Sequence, residues 1–208
     1  MLNETDSKKK AALRQEFLSK RRLFVQSKGS NLDQVHSQLV DSLEVIFPKT
    51  SGIAATYFPT QDEANPNGVS KRLSQWQFAY PRVEEDQLTF WIPEKAQAFL
   101  PGALGINEPI PEQSQAVSLG NCRVVLVPGV AFDKRGGRIG YGKGFYDRAL
   151  RNCQGLKIGI GYTAQISMED LPVNGADVYM DWVVTEKFVI ERNQAKQNWD
   201  GSASRKGI

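Results

Sequence analysis

The stretch RIGYGKGFYDRAL (Arg138–Leu150) follows Gly136 and Gly137, so glycine stands at positions 136, 137, 140, 142 and 144. Arg138 and Lys143 sit among these glycines, with Tyr141, Phe145, Tyr146 and Asp147 interleaved. Just upstream, RVVLV (Arg123–Val127) reads as a buried strand, and Phe145 to Cys153 reads as a helix. In open α/β sheets ligands bind beyond the carboxyl ends of the strands, which is where this segment falls. Glycine admits positive φ and lets backbone amides approach a ligand, and successive amides form an anion nest. Arg138 and Lys143 add full charges, and a helix opening near Gly144 turns its positive end to the same place. Together these features point to a phosphate group.

Neither familiar phosphate loop fits. Gly137, Gly142 and Lys143 supply G-x-x-x-x-G-K, but the next position is Gly144, where a P-loop places the Ser or Thr that holds magnesium. The strand also ends well before Gly137. Gly140, Gly142 and Gly144 give G-x-G-x-G, not the dinucleotide pattern G-x-G-x-x-G. A triphosphate then needs a metal ligand from elsewhere, and magnesium takes one or two carboxylates. Asp147 is one candidate, or a first-turn acid favoured by the helix dipole. Asp133 is another, or the residue that forms the FDKRGG turn. Tyr141, Phe145 and Tyr146 can stack on a flat heterocycle, or pack the helix onto the sheet.

Working outward, Leu13, Phe17 and Phe24 have helical spacing and predict a helix over 6–28, capped by Asp6 or Ser7. On it, Lys10 and Arg14 form an i, i+4 pair that can hold a polyphosphate. A second helix fits 31–47, with Leu32, Val35, Leu39, Leu43 and Ile46 as its apolar stripe and His36, a structural histidine, at the edge. GIAATYF (Gly52–Phe58) reads as a buried strand, and TQDEANPNG (Thr60–Gly68) as a loop. Short strands fit Gln77–Tyr80, Leu88–Trp91, Leu156–Ile160 and Trp182–Thr185. The proline-rich stretch Pro93–Gln115 reads as a long ordered loop. Strands alternating with helices predict an α/β class: a three-layer fold with a mainly parallel central sheet flanked by helices. A single domain over 1–191 is expected, followed by a polar, disordered tail over 192–208.

Composition removes other classes. The formal net charge is +3, too low to suggest a nucleic-acid partner. One histidine, two cysteines and no C-x-x-C pair exclude a zinc site and a Ser-His-Asp hydrolase. Cys122 and Cys153 read as reduced and buried. No apolar run reaches the roughly 18 residues of a membrane span, and the polar, basic N-terminus is not a signal peptide. A cytoplasmic protein is expected.

LVPGVAFDKRGGRIGYGKGFYDRAL (Leu126–Leu150) closely resembles the signature of the 5-formyltetrahydrofolate cyclo-ligases, or methenyltetrahydrofolate synthetases. KAALR (Lys10–Arg14), TQDE (Thr60–Glu63), YPR (Tyr80–Arg82), GINEP (Gly105–Pro109), LPVNGAD (Leu171–Asp177) and VVTE (Val183–Glu186) follow in the family's order. The resemblance implies a three-layer α/β fold and closure of 5-formyltetrahydrofolate to 5,10-methenyltetrahydrofolate with ATP and Mg2+. It assigns ATP to Lys10, Arg14 and the loop Arg138, Ile139, Gly140, Tyr141, Gly142, Lys143, Gly144, Phe145 and Tyr146. Arg138, Lys143 and Tyr146 would be catalytic, and Asp147 and Asp177 would serve magnesium. The folate would meet Glu63, the stretch Tyr141–Phe145 (Tyr141, Gly142, Lys143, Gly144, Phe145), Ile106 and Glu108.

The chain departs from the family at Gly175 and Ala176, where a Glu or Pro and then a His or Asn is more usual. It departs again at Asn107, usually aliphatic. The expected partners are the folate and ATP, with neither nucleic acid nor membrane, on a monomer. Three rival readings are an ATP-dependent kinase or ligase with another acceptor, a folate- or nucleotide-binding protein without turnover, and an RNA-binding module. The retained Lys10, Arg14, Asp147 and Asp177 favour catalysis, and the low charge argues against RNA.

Overall fold

The computed structural model describes residues 4–192 apart from 61, 96, 103 and 104. The chain opens with two helices, α1 (Glu4–Lys28) and α2 (Leu32–Ile46). There follow β1 (Gly52–Ala55), α3 (Gly68–Arg72), β2 (Trp76–Glu84), β3 (Gln87–Pro93), β4 (Phe99–Pro101), β5 (Asn107–Pro109) and β6 (Ser114–Val117). The second half holds β7 (Val124–Pro128), β8 (Ala131–Asp133), β9 (Arg138–Ile139), α4 (Phe145–Leu150), β10 (Leu156–Ile160), β11 (Ile166–Ser167), β12 (Trp182–Val184) and β13 (Val189–Glu191).

Eight strands form the central sheet in the order β13-β12-β10-β7-β1-β2-β3-β6. The ladders from β12 across to β2 are parallel. Antiparallel strands close both edges, β13 on one side and the β2–β3–β6 meander on the other. The α/β layered class expected from the alternation is therefore the observed one.

Period-2 alternation along β7 sorts its side chains between two cores. Val124 and Leu126 join Leu39, Leu43, Trp76 and Ile158 on the face covered by α2 and α3. Val125 and Val127 join Phe132, Leu150, Met180 and Ile190 on the opposite face, covered by α4 and the segment after β7. All four are fully buried, and each stabilises the fold by roughly 1.5–3 kcal/mol. A strand sealed on both faces reads as an unbroken apolar run, which is why RVVLV was so legible. α1 seats Phe24 and Val25 on the first core and Phe17 on a third cluster with Val130, Ala131, Ile139 and Leu171.

Several boundaries differ from the sequence reading. α1 begins at Glu4, so Asp6 and Ser7 lie inside the helix and do not cap it. β1 stops at Ala55, because Tyr57 and Phe58 leave the sheet: Tyr57 donates to the Ala64 carbonyl at 2.6 Å and Phe58 stacks on Tyr80 at 4.7 Å. Thr60–Gly68 is a loop only to Asn67, since Gly68 opens α3. β2 and β3 outrun their expected lengths and pair as an antiparallel hairpin. The stretch 93–115 is not one long loop, for it holds the β4–β5 pair, a short 3-10 turn and the start of β6. Pro101 and Pro109 disguised that pair, since proline is tolerated on the edge strands of so small a sheet. α4 ends at Leu150, three residues early. Cys122 and Cys153 are free and buried, and burial pushes the Cys122 thiol up to about 12. Residues 193–208 of the expected tail lie outside the described residues.

Candidate functional site

The chain runs from β1 to β2 on one side and later returns to place β7 on the other side of β1. Such a reversal opens a crevice beyond the strand ends. A cavity of about 760 Å³ lies there. Its walls come from Tyr57, Phe58, Thr60 and Glu63 after β1, from Pro128, Arg138–Arg148 and Arg151 after β7, and from Lys10 and Arg14 of α1. The β2–β3 hairpin, Ile106 and Glu108 by β5, and the turn 174–177 complete it.

The glycine segment does not run directly from strand to helix. It is preceded by the β8–β9 hairpin, which pairs with β11 as a separate three-stranded sheet. That insertion is what separates β7 from the glycines and defeats the P-loop pattern. Asp133 organises the hairpin from a fully buried position. Its Oδ1 accepts from the amides of Gly137 (2.7 Å) and Arg135 (2.9 Å), and its Oδ2 from Leu171 (2.8 Å). Asp133 is thus the turn former and not a metal ligand. Gly136, at φ +79°, lies so close to the Met180 carbonyl that a side chain there collides with backbone. Gly142, at φ +96°, lets the Arg14 guanidinium lie against the loop.

Every residue expected at the site lines this one cavity: Lys10, Arg14, Glu63, Ile106, Glu108, the run Arg138–Asp147, and Asp177. They differ in what already holds them. Arg14 Nε donates to the Gly140 carbonyl at 2.8 Å, so α1 grips the glycine loop without neutralising its own charge. Lys143 is exposed, and no ion pair engages its ammonium among the described residues. Arg138 is buried and divides its donors between the Pro128 carbonyl (3.2 Å) and Asp147 Oδ1 (2.8 Å). Lys10 Nζ meets Asp177 Oδ2 at 2.5 Å, with the two side chains 13% and 16% exposed.

The two candidate metal carboxylates are therefore each tied to a cation through one oxygen. The Asn174 amide also reaches Asp177 Oδ2, and the Val178 amide reaches Asp147 Oδ1. Asp147 Oδ2 and Asp177 Oδ1 are left to a ligand among the described residues. Among those residues no cluster of three or more metal-binding side chains exists. Two carboxylates lining one cavity suit magnesium, which takes one or two carboxylates and completes its shell with phosphate and water. They do not fit zinc.

Glu63 is only 7% exposed. Its Oε2 accepts from the Thr60 amide at 2.8 Å and its Oε1 from the Tyr141 hydroxyl at 2.5 Å, which bridges the glycine loop to the loop after β1. The Tyr141 oxygen in turn accepts from Arg21 at 2.7 Å. Below, Tyr162 donates to the Glu63 carbonyl at 3.1 Å, so its oxygen accepts from His36 Nε2 at 2.8 Å and that nitrogen carries the proton. Burial, then the Glu63 charge, push the phenols of Tyr141 and Tyr146 above their ordinary value, and both remain donors at neutral pH. Tyr146 packs against the second core with its hydroxyl buried and, like Arg138 Nε, without a hydrogen-bond partner among the described residues, so each has a donor to offer a ligand. Glu108 is pinned by the Val83 amide (3.4 Å) and Arg82 (3.6 Å), which gives the YPR and GINEP segments a shared purpose.

Other wall residues escaped the sequence reading. Tyr57 and Phe58 looked like strand. Arg148 and Arg151 fell within the expected helix with no role of their own, although Arg148 donates to the Lys143 carbonyl at 3.0 Å and lies over the Phe145 ring, and both line the cavity. Arg21 had a usable signal, since Lys10, Arg14, Phe17 and Arg21 share one helical face. In VVTE, Thr185 and Glu186 close turns: Glu186 accepts from the Thr163 amide at 3.0 Å, and Thr185 bonds Phe188.

The model of the 5-formyltetrahydrofolate cyclo-ligase family matches residues 6–186. The 5-formyltetrahydrofolate cyclo-ligase of Escherichia coli strain K12 is 40% identical over 91 residues, which cover 42% of this chain and 50% of that protein. The Mycoplasma pneumoniae protein of the same name is 28% identical over 183 residues, covering 86% of this chain and 99% of its own. The chain spans about half the length of several other curated relatives it matches. The solution structure of Aquifex aeolicus 5,10-methenyltetrahydrofolate synthetase superposes with a TM-score of 0.75 at 28% identity, covering 95% of this chain and 97% of that one. No helix among the described residues is long and apolar enough to cross a membrane.

Proposed function

This chain belongs to the 5-formyltetrahydrofolate cyclo-ligase family, and from that premise we propose that it closes 5-formyltetrahydrofolate to 5,10-methenyltetrahydrofolate with ATP, releasing ADP and phosphate. The observation that carries the reading is convergence: basic, acidic and aromatic residues from distant parts of the chain line one cavity at the sheet's reversal point.

A formamide oxygen is a poor leaving group. Transfer of the γ-phosphoryl group to the formyl oxygen makes it a good one and releases ADP. The folate N10 then attacks the formyl carbon, the C–N bond of the new ring forms, and phosphate departs with the oxygen while N10 gives up its proton. Phosphoryl transfer asks for positioning and charge neutralisation more than for covalent help, which suits a cavity whose one nearby histidine is a structural partner of Tyr162.

In this reading Arg14, Lys143 and the amides of 139–144 hold the triphosphate. Arg138 fixes Asp147, and the free Tyr146 hydroxyl donates to a reacting oxygen. Asp147 and Asp177 would hold magnesium, which supplies charge neutralisation at the phosphates. Glu63 offers acceptor oxygens to the N–H groups of the pterin, and Ile106 and Glu108 line its side of the pocket.

The test mixes purified protein with 5-formyltetrahydrofolate, ATP and magnesium and follows near-ultraviolet absorbance of the product. Growth that needs both ATP and magnesium supports the reading. ATP binding without product on this acceptor would overturn it in favour of another acceptor.

A further inference from the structure

We propose that Arg21 is a positioning residue for the folate: acting through the Tyr141 hydroxyl, it fixes the direction in which Glu63 faces the cavity, and touches neither substrate. This rests on the folate reading of the site above.

The first observation is an anomaly of charge. Arg21 is 5% exposed, yet no carboxylate lies within ion-pair distance of it among the described residues. A buried guanidinium without a counter-ion is strongly disfavoured. Its compensation arrives at one remove. Nη1 donates to the Tyr141 oxygen at 2.7 Å, and that hydroxyl donates to Glu63 Oε1 at 2.5 Å. The guanidinium also lies over the Tyr141 ring, 5.6 Å from its centroid.

The second observation is directional. Arginine has donors only, and a phenol has one proton. While Arg21 occupies the oxygen's acceptor side, the Tyr141 proton points at Glu63. Because Thr60 holds the other carboxylate oxygen, Glu63 cannot rotate away. Tyr141 is itself 46% exposed on a glycine-flanked loop, so nothing in its own segment restrains it to this degree.

The third is specificity of address. α1 uses one face for two tasks: Arg14 reaches the glycine-loop backbone and Arg21, two turns later, reaches Tyr141. The neighbouring Arg22 points away, 66% exposed and 3.8 Å from Asp62. Loss of Arg21 therefore reaches the folate end of the cavity and leaves the phosphate end standing.

The test is a double-mutant cycle with Arg21→Met, Tyr141→Phe and the pair, read as equilibrium binding of 5-formyltetrahydrofolate and, separately, of ATP. Arg21→Lys serves as a second variant that keeps the charge and one donor should Arg21→Met not fold. Each single change is expected to weaken folate binding about tenfold, with ATP affinity moved less than about twofold. The pair should be no worse than the weaker single, since both remove one link. Arg21→Lys should fall between wild type and Arg21→Met, because an ammonium is a point donor without the planar fork. Multiplying losses in the pair, or equal losses for ATP, would overturn the role of Arg21 alone. Wild-type protein that binds ATP but no folate would overturn the folate reading itself.

Discussion

Asp133 and Asp177 are the same residue, one opening its turn and the other closing its turn, and the structure surrounds them differently. Asp133 ends β8 and Asp177 lies between β11 and β12, and both collect a backbone amide from their own turn. Asp133 then spends its second oxygen on the Leu171 amide and disappears from the surface. Asp177 spends one oxygen on Asn174 and Lys10 and keeps the other at the cavity. What separates scaffold from site is whether the second oxygen finds an amide. Nothing in the residue type decides it.

The contrast is testable at its strong end first. Asp133→Ala orphans three amides at once, two of them buried. It is expected to cost about 3–5 kcal/mol of unfolding free energy, the scale of breaking a buried charged network. At this chain length that is about 10 °C in melting temperature. Urea unfolding measures it, and a loss under about 1 kcal/mol would erase the difference between the two turns.

Asp177→Asn should do the reverse. Its carbonyl oxygen can still accept from Asn174, so stability should move by less than about 1 kcal/mol. Turnover should fall about 30- to 100-fold and need more magnesium, the usual scale for disturbing a metal's surroundings. A magnesium titration at saturating ATP decides it, and an unchanged midpoint would remove Asp177 from the metal. Lys143→Ala comes next. Because no carboxylate among the described residues holds the ammonium, its removal should raise the KM for ATP about tenfold and leave stability within about 0.5 kcal/mol. Full turnover at limiting ATP would count against the phosphate cradle.

These pairs also show where the sequence was readable. Lys10 and Arg14 share a helical face, so their lining one cavity was legible from period, although each holds a different partner there, and RVVLV announced a strand buried on both faces. Asp133 was left between metal and turn, because the amide of Leu171 lies 38 residues away and no local pattern carries it. The tie between Lys10 and Asp177 spans 167 residues, so the sequence named both without showing that they are partners. Pro101 and Pro109 spoke against strands that form only because each sits at an edge. Arg21 carried no expectation, because its partner Tyr141 lies 120 residues away and no local pattern joins them.

The smallest effect lies beneath Glu63. His36 Nε2 donates to Tyr162, which holds the Glu63 carbonyl. Burial lowers the imidazole below its ordinary 6.5, partly offset by Asp33. The unfolded chain therefore binds a proton at His36 more readily than the folded one. The neutral ring's contribution is present above pH 6.5 and is lost as pH falls through the lowered folded value. His36→Gln keeps an N–H donor and removes the titration. Between pH 7.5 and 5.5 wild type should lose about 1–2 °C more in melting temperature than His36→Gln, a few tenths of a kcal/mol at this size. Parallel curves would show that the ring's charge does not matter to the fold. A larger gap that appears together with weaker folate binding at low pH would show that the support under Glu63 reaches the cavity, as the arm through Arg21 does from above.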